Sequence, residues 1–509
     1  MSKFNAFLDR KFKLGEKGTN VRTEIVAGIV TFLAMCYILT VNPNQIFYAG
    51  TADPRWSSLF IATALGAVIG TLLMAFLAKM PLAQASGMGL NSLVGSVIGG
   101  GIGFFAYGFN FTIGQAFMMV LISGIIFLLL SIIRIKGKTF RELIFDGMPV
   151  AVRGAISVGI GLFIAYIGFQ NAGIIVTNQY TQVALVDFTK WGEQLIQWSG
   201  TTGFAAKTAC VALIGLFLIA ILDKFNVKGS VIIGILGATI VGIPFGVTNL
   251  NVITGSVDGI SWKFWENYGN FFSVGDESVF GSFVTVFTDG FPAGSLFTVI
   301  MLIITMCMID MFDTMGTIVG CCGGNRILSD ENNKPHNYGK IMISDAVATC
   351  AGAMLGTSTV TTFVESGAGV SAGGRTGLTA FTTACLFLLA TFALPFFAMI
   401  PSAATASALI YVGVLMMKNN VKSIDFSNAV NAVAAFLTIV VMVLSYSITK
   451  GIGIGMISYT LMALVSYAVE MIVYACKKEK AEKPKFSVSI VAIVVTALFL
   501  VYFFVPAVL

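Results

Sequence analysis

The chain has 509 residues, 57% hydrophobic and only 11% charged, with a mean hydropathy of +0.90. A soluble domain is about a quarter charged, so this composition excludes a soluble protein with a single anchor and requires a polytopic membrane protein. The net charge of +6 does not point to nucleic acid, because Lys and Arg sit in short loops at span ends, where they set orientation.

Residues 1–24 read MSKFNAFLDRKFKLGEKGTNVRTE. The segment is basic and amphipathic and lacks a small-residue cleavage site, which predicts a cytosolic lead-in and not a removed signal peptide. Apolar runs of spanning length follow at roughly 25–44, 57–79, 88–100, 112–134, 150–170, 204–222, 229–247, 295–321, 340–355, 366–373, 375–397, 403–418, 428–448 and 452–475. The third and tenth are too short to cross as full helices. A further apolar run, 487–508, follows the charged linker KKEKAEKPK and reads as either another span or an interfacial helix.

Charge tests this order. With the N-terminus inside, the basic clusters before the first span, at Lys79, Arg134 to Arg153, Lys224 and Lys228, Arg326 to Lys340, Lys418 and Lys422, and Lys477 to Lys485 all fall on the cytoplasmic side. The loop 249–294 falls outside, with Asp258, Glu266, Asp276, Glu277 and Asp289 against Lys263. Omitting one span would put every later cluster on the wrong side. The eight cysteines lie in spans or at their inner ends, so neither a disulfide nor a metal cluster is expected.

The two halves repeat. After Lys79 the chain reads PLAQASGMGLNSLVGSVIGGG, and after Leu355 it reads GTSTVTTFVESGAGVSAGG. Each is a short extended run, a small-residue turn and a Gly-rich half-helix. The fifth and twelfth spans, MPVAVRGAISVGIGLFI and IPSAATASALIYVGVLMM, share a Pro entry. Seven spans separate the partners, which gives the halves opposite topology. Gly-interrupted short segments at matching positions of inverted repeats point to a transporter's binding site.

Three places offer polar groups at membrane depth. Asp310 and Asp313 are three residues apart and so share a helix face, with Thr314 and Thr317 close by. The third-span hinge supplies Gln84, Ser86, Gly87, Gly89 and Asn91. The tenth-span hinge supplies Thr361, Thr362, Glu365 and Ser366. Two half-helices aimed at one point would offer free N–H donors, and a carboxylate would supply the acceptor. A purine edge fits that mixture, as do other planar heterocycles. Burial disfavours the charged form of an acid, so such a group can relay a proton. Unwound carbonyls with a carboxylate suit Na⁺ as well. Blander roles are open: Asp310 and Asp313 as helix partners, Glu365 as a mate of Arg375, Asn91 as a hinge cap, Asp345 as structural or solvated, and His336 as a loop surface residue.

These motifs resemble the azaguanine-type purine permeases of the nucleobase–cation symporter-2 family. The likeness runs nearly the whole chain. It rests on TFLAMCYILTVNP, QASGMGLNS, VRGAISVGIGLFIAYIGFQNAGI, DMFDTMGT, GTSTVTTFVESGAGVSAGGRTGLTA and IPSAATASALIYVGVLMM. It implies an all-α polytopic fold of fourteen segments in two inverted repeats of seven, with short strands and half-helices at segments three and ten. A core domain would comprise 25–135 and 295–397, and a gate domain 149–247 and 401–475. The lead-in 1–24, an extracellular loop 248–294 and an additional C-terminal apolar helix 486–509 complete it.

The resemblance further implies import of hypoxanthine, guanine or adenine by proton symport, through elevator-type alternating access. The protein would sit in the plasma membrane with its N-terminus cytoplasmic, in contact with lipid, as a homodimer through the gate domain. No cofactor, metal or nucleic acid is expected. By motif match, the essential positions are Asn91 in GMGLN, Asp310 and Asp313 in DMFD, and Glu365 in VES. The substrate-binding candidates are then Glu365, Asp310, Asn91, Asp313, Gly89, Ser366 and Thr362, and the proton carriers Glu365, Asp310 and Asp313. The chain departs from the family in having Ser86 where Pro is usual, and in lacking the usual prolines of span thirteen.

Three rivals follow from the same residues. An anion exchanger wants helix N-termini without carboxylates nearby, which the three acids oppose. A sodium-coupled heterocycle carrier uses the same groups with another ion. An intramembrane aspartyl protease needs its two Asp on different helices, whereas Asp310 and Asp313 share one, so no enzyme is expected.

Overall fold

The computed structural model describes residues 3–47, 51, 53–98, 110–135, 138–139, 147–178, 180–193, 195–196, 202–203, 205–227, 229–248, 250–252, 260–273, 278–322, 327–329, 335–476, 486 and 488–504. Asp258, Asp276 and Glu277 of the outer loop, the basic residues Lys228 and Arg326, the linker 477–485 and residues 99–101 of the first hinge lie outside the described residues.

Among the described residues, eight helices are long and apolar enough to cross a membrane: Val21–Ile46, Trp56–Ala78, Ile113–Ile132, Val150–Asn171, Ala205–Lys224, Leu296–Met315, Gly377–Ala398 and Lys450–Cys476. Shorter apolar helices occupy Met88–Ile98, Ser230–Gly242, Ser402–Lys418, Ala429–Leu444 and Ile490–Val501. Local chemistry marks their ends. Asn20 accepts a hydrogen bond from the Thr23 amide at the start of the first span, and Thr112 forms a reciprocal capping box with Gln115. Pro149 and Pro401 stand immediately before their helices, where a missing N–H costs nothing.

The Val150–Asn171, Ala205–Lys224, Ser230–Gly242, Ser402–Asn420, Ala429–Leu444 and Ile448–Cys476 helices pack mainly on one another. So do Val21–Met35, Trp56–Leu73, Ile113–Ile132, Leu296–Cys322, Tyr338–Leu355 and Gly377–Ala390. The two Pro-entered spans form the most extensive helix pair of the first group. Their approach depends on glycine: a Cβ on Gly413 would lie 2.4 Å from the Gly161 carbonyl oxygen and 2.7 Å from Ala165 Cβ. Lipid tails are as apolar as Leu, so close backbone packing of small residues does much of the work of helix association here. Gly413→Val is expected to destabilise the protein by about 1–3 kcal/mol, read as a lower melting temperature of the purified protein. Gly192→Ala, whose Cβ meets nothing within 4 Å, should leave the melting temperature unchanged.

The C-terminal apolar run forms the Ile490–Phe504 helix of 15 residues, about 22 Å long. It packs on Ile448–Cys476, and the Ser489 hydroxyl donates to the Gly147 carbonyl.

Candidate functional site

The two extended runs meet. Gln84–Ser86 and Val360–Thr362 pair antiparallel, with Gln84 opposite Thr362, Ala85 opposite Thr361 and Ser86 opposite Val360. All six residues are buried. A left-handed residue turns the chain ahead of each run, Lys79 at φ 56° and Gly356 at φ 89°. At Gly356 the conformation and the space agree, because a Cβ there would sit 2.1 Å from the Val279 carbonyl oxygen.

Backbone at membrane depth must find its hydrogen bonds inside the protein, and here threonines and a serine provide them. Thr71 Oγ1 accepts from the Gln84 amide and donates to the Gln84 carbonyl, both at 3.0 Å. Thr349 Oγ1 lies 3.2 Å from the Val360 carbonyl oxygen. Ser366 Oγ accepts from the Ala83 amide at 3.0 Å. The ladder extends through the Gly87 amide to Thr359 O at 2.9 Å and the Phe363 amide to Ala83 O at 3.0 Å. Asn42 Nδ2 adds a polar knot, 2.7 Å from Thr63 Oγ1 and 2.8 Å from Thr357 Oγ1.

The predicted acids and Asn91 gather around this crossing. Asn91 lies in the first turn of Met88–Ile98; its Oδ1 accepts from the Ser358 hydroxyl, while its Nδ2 is buried with no protein partner. Glu365 stands just before Ser366–Ser371. Its Oε1 accepts from the Tyr37 hydroxyl, and its buried Oε2 has no protein partner. Asp310 Oδ2 accepts from Thr349 Oγ1 at 3.0 Å. Asp313 is half-buried, with Oδ2 3.5 Å from Thr361 Oγ1.

The remaining candidates sit differently. The Thr362 and Ser366 hydroxyls are engaged by the chain: Thr362 Oγ1 lies 3.3 Å from Gln84 Nε2, and Ser366 holds the Ala83 amide. Gly89 faces the other helix group, where a Cβ would come 3.0 Å from Ile448 Cδ1 and 3.8 Å from Ile160 Cγ2. The second half-helix has only six residues, so it adds little dipole, and Glu365 supplies the polarity on that side. Arg375 is not the mate of Glu365; its guanidinium donates to the Lys17 and Gly18 carbonyls at 3.1 and 2.9 Å. Asp345 is fully buried and accepts from Gln84 Nε2 at 2.9 Å. That makes it structural and not solvated.

The model of the Permease family matches residues 22–454. This chain belongs to the Permease family. The permease is 34% identical to the adenine permease AdeP of Escherichia coli K12 over 457 residues, covering 90% of each protein. It is 35% identical to the guanine/hypoxanthine permease PbuG of Bacillus subtilis 168 over 458 residues, covering 88% of this chain and 92% of that one. The transmembrane domain of a cyanobacterium bicarbonate transporter, BicA, has a similar fold, with a TM-score of 0.58 over 84% of this chain and 96% of that one. At 15% identity that likeness concerns fold alone. The family and these relatives are permeases, so the chain is a multi-pass membrane permease and not an enzyme.

Two buried residues were not singled out in the sequence: one beside Glu365 and one away from the crossing. Tyr37 is the clearest, since it touches Glu365 directly. Its signal was position: tyrosine belongs to the interfacial belts of a membrane protein, and this one lies in mid-span. Glu24 is another. Its carboxylate is fully buried and accepts from the Arg375 amide and from the amides and hydroxyls of Thr376 and Thr379.

Proposed function

We propose that this permease is a secondary active transporter that imports a purine base, hypoxanthine, guanine or adenine, together with a proton by alternating access. One observation carries the reading. Glu365 and Asn91, at opposed half-helices, each have one polar atom held by the protein and one buried atom left over, an acceptor at Glu365 and a donor at Asn91. A buried polar group without a partner costs roughly 1–3 kcal/mol, so the pair is best understood as waiting for a ligand that donates and accepts. A purine edge does both. The names of AdeP and PbuG support that class of substrate.

In this reading Glu365 binds the base edge, Asn91 holds it or the hinge, and Glu365, Asp310 and Asp313 share the proton. Thr362, Ser366 and Gly89 frame the site. The two helix groups act as core and gate, within fourteen segments in two inverted repeats. The protein sits in the plasma membrane, N-terminus inside, and pairs through the gate. Positive charge at the predicted inner loops supports that orientation. The three acids speak against an anion substrate.

Uptake of labelled hypoxanthine, guanine and adenine into proteoliposomes tests the proposal. Accumulation is expected with an inward proton gradient, and collapse with a protonophore. Uptake that ignores the gradient but fails when choline replaces Na⁺ would move the coupling to sodium. Absence of uptake of all three bases would overturn the purine reading.

A further inference from the structure

The first span is not one continuous helix. Val21–Met35 and Ile38–Ile46 are separated at Cys36–Tyr37. There the Leu39 amide bonds to the Cys36 carbonyl at 3.2 Å and the Thr40 amide to the Tyr37 carbonyl at 3.1 Å. Such three-residue tightening inside a helix often marks a functional hinge. Pro43 lies just beyond it. Tyr37 is 1% exposed, and a buried phenol needs a partner for its hydroxyl. It has two neighbours, from opposite hinges. It donates to Glu365 Oε1 and lies 3.5 Å from Met88 Sδ, at the start of the other half-helix.

We propose that Tyr37 is a positioning residue for the purine site. It fixes Glu365 by one oxygen, so that the other is presented to the ligand before the ligand arrives. This rests on the purine reading above. Glutamate has much side-chain freedom to lose, and ordering it in advance removes that cost from binding. A phenol does this without adding a charge. Lysine or arginine in its place would hold the carboxylate as an anion, whereas Tyr37 leaves Glu365 able to take up a proton. Met88 Sδ is a second acceptor within reach of the hydroxyl, and a thioether accepts weakly beside a carboxylate.

The test is direct binding of tritiated hypoxanthine, guanine and adenine to the purified full chain, with melting temperature recorded alongside. Binding of none of them by the unaltered chain removes the purine reading, and this inference with it. Tyr37→Phe is expected to raise Kd for the bound base about tenfold with little change in melting temperature. A Kd within twofold of the unaltered chain overturns the positioning role and leaves the purine reading standing. Met88→Leu should keep Kd within twofold; a tenfold loss there would assign the effect to packing and overturn the proposal. Tyr37→4-aminophenylalanine keeps a donor on the ring. It is expected to bring Kd back to within threefold, and failure to do so equally counts against the role. This last variant also decides the matter if the Phe variant does not fold.

Discussion

Glu365→Gln is expected to lower purine uptake about ten- to a hundredfold and to abolish its response to an imposed pH gradient. Two losses combine. The amide keeps an oxygen for Tyr37, but the position facing the ligand becomes an NH₂ group, which cannot accept from a purine N–H. Hydrogen bonds to a charged group contribute about 1.5–3 kcal/mol each, so losing the one that Oε2 would accept corresponds to about ten- to a hundredfold. The amide also cannot take up or release a proton. Initial rates in proteoliposomes, with and without the gradient, separate the effects. Reduced uptake that still follows the gradient would place the transported proton on Asp310 or Asp313 and leave Glu365 as a binding residue only.

Glu24→Ala is expected to destabilise the folded protein by at least about 2–3 kcal/mol, because each buried donor left without a partner costs about 1–3 kcal/mol. Glu24 lies in the first turn of Val21–Met35. Its Oε1 accepts from the Arg375 amide at 2.9 Å. Its Oε2 accepts from Thr376 Oγ1 at 2.8 Å and Thr379 Oγ1 at 2.6 Å, with their amides at 3.2 and 3.3 Å. These amides stand at the start of Gly377–Ala390, where a helix has orphan donors and a positive end that favours an anion. One side chain therefore staples Val21–Met35 to the start of Gly377–Ala390. Alanine would leave several buried donors with nothing to bond. Glu24→Gln keeps the shape and one acceptor, and should lose about half as much. Thermal melting of the purified variants measures both. Equal melting temperatures for Glu24→Ala and the unaltered chain would show that water satisfies these donors.

Much of the site was legible because membranes make polar residues conspicuous. In a chain that is 11% charged, Glu365, Asp310 and Asp313 at span depth had to be explained, and the Gly-rich halves around Asn91 and Glu365 marked two hinges. Their repetition in sequence matched the two stretches as repeat partners, and in the structure their extended runs pair, with Gln84 opposite Thr362. Other features resisted. Ser366 and Thr362 looked like ligand contacts because they are small and polar beside Glu365. In the folded chain their hydroxyls serve backbone and neighbours. At Gly89 the structure adds a packing reason, since a Cβ there would meet Ile448 and Ile160. Arg375 had a plausible reading as the mate of Glu365, and assembly of the bundle gave its guanidinium the Lys17 and Gly18 carbonyls instead.

The sequence by itself determined the class of protein, the two extended runs and the acids near them, because hydropathy, Gly spacing and a costly carboxylate are properties of short stretches. Only the tertiary structure decided which polar atoms remain open. Tyr37 meets Glu365 across 328 residues of chain, and Ser358 meets Asn91 across 267. No local pattern encodes such pairs. They exist only when Val21–Ile46, the stretch around 84–98 and the stretch around 358–371 pack together. That packing holds one oxygen of Glu365 and leaves the other without a protein partner.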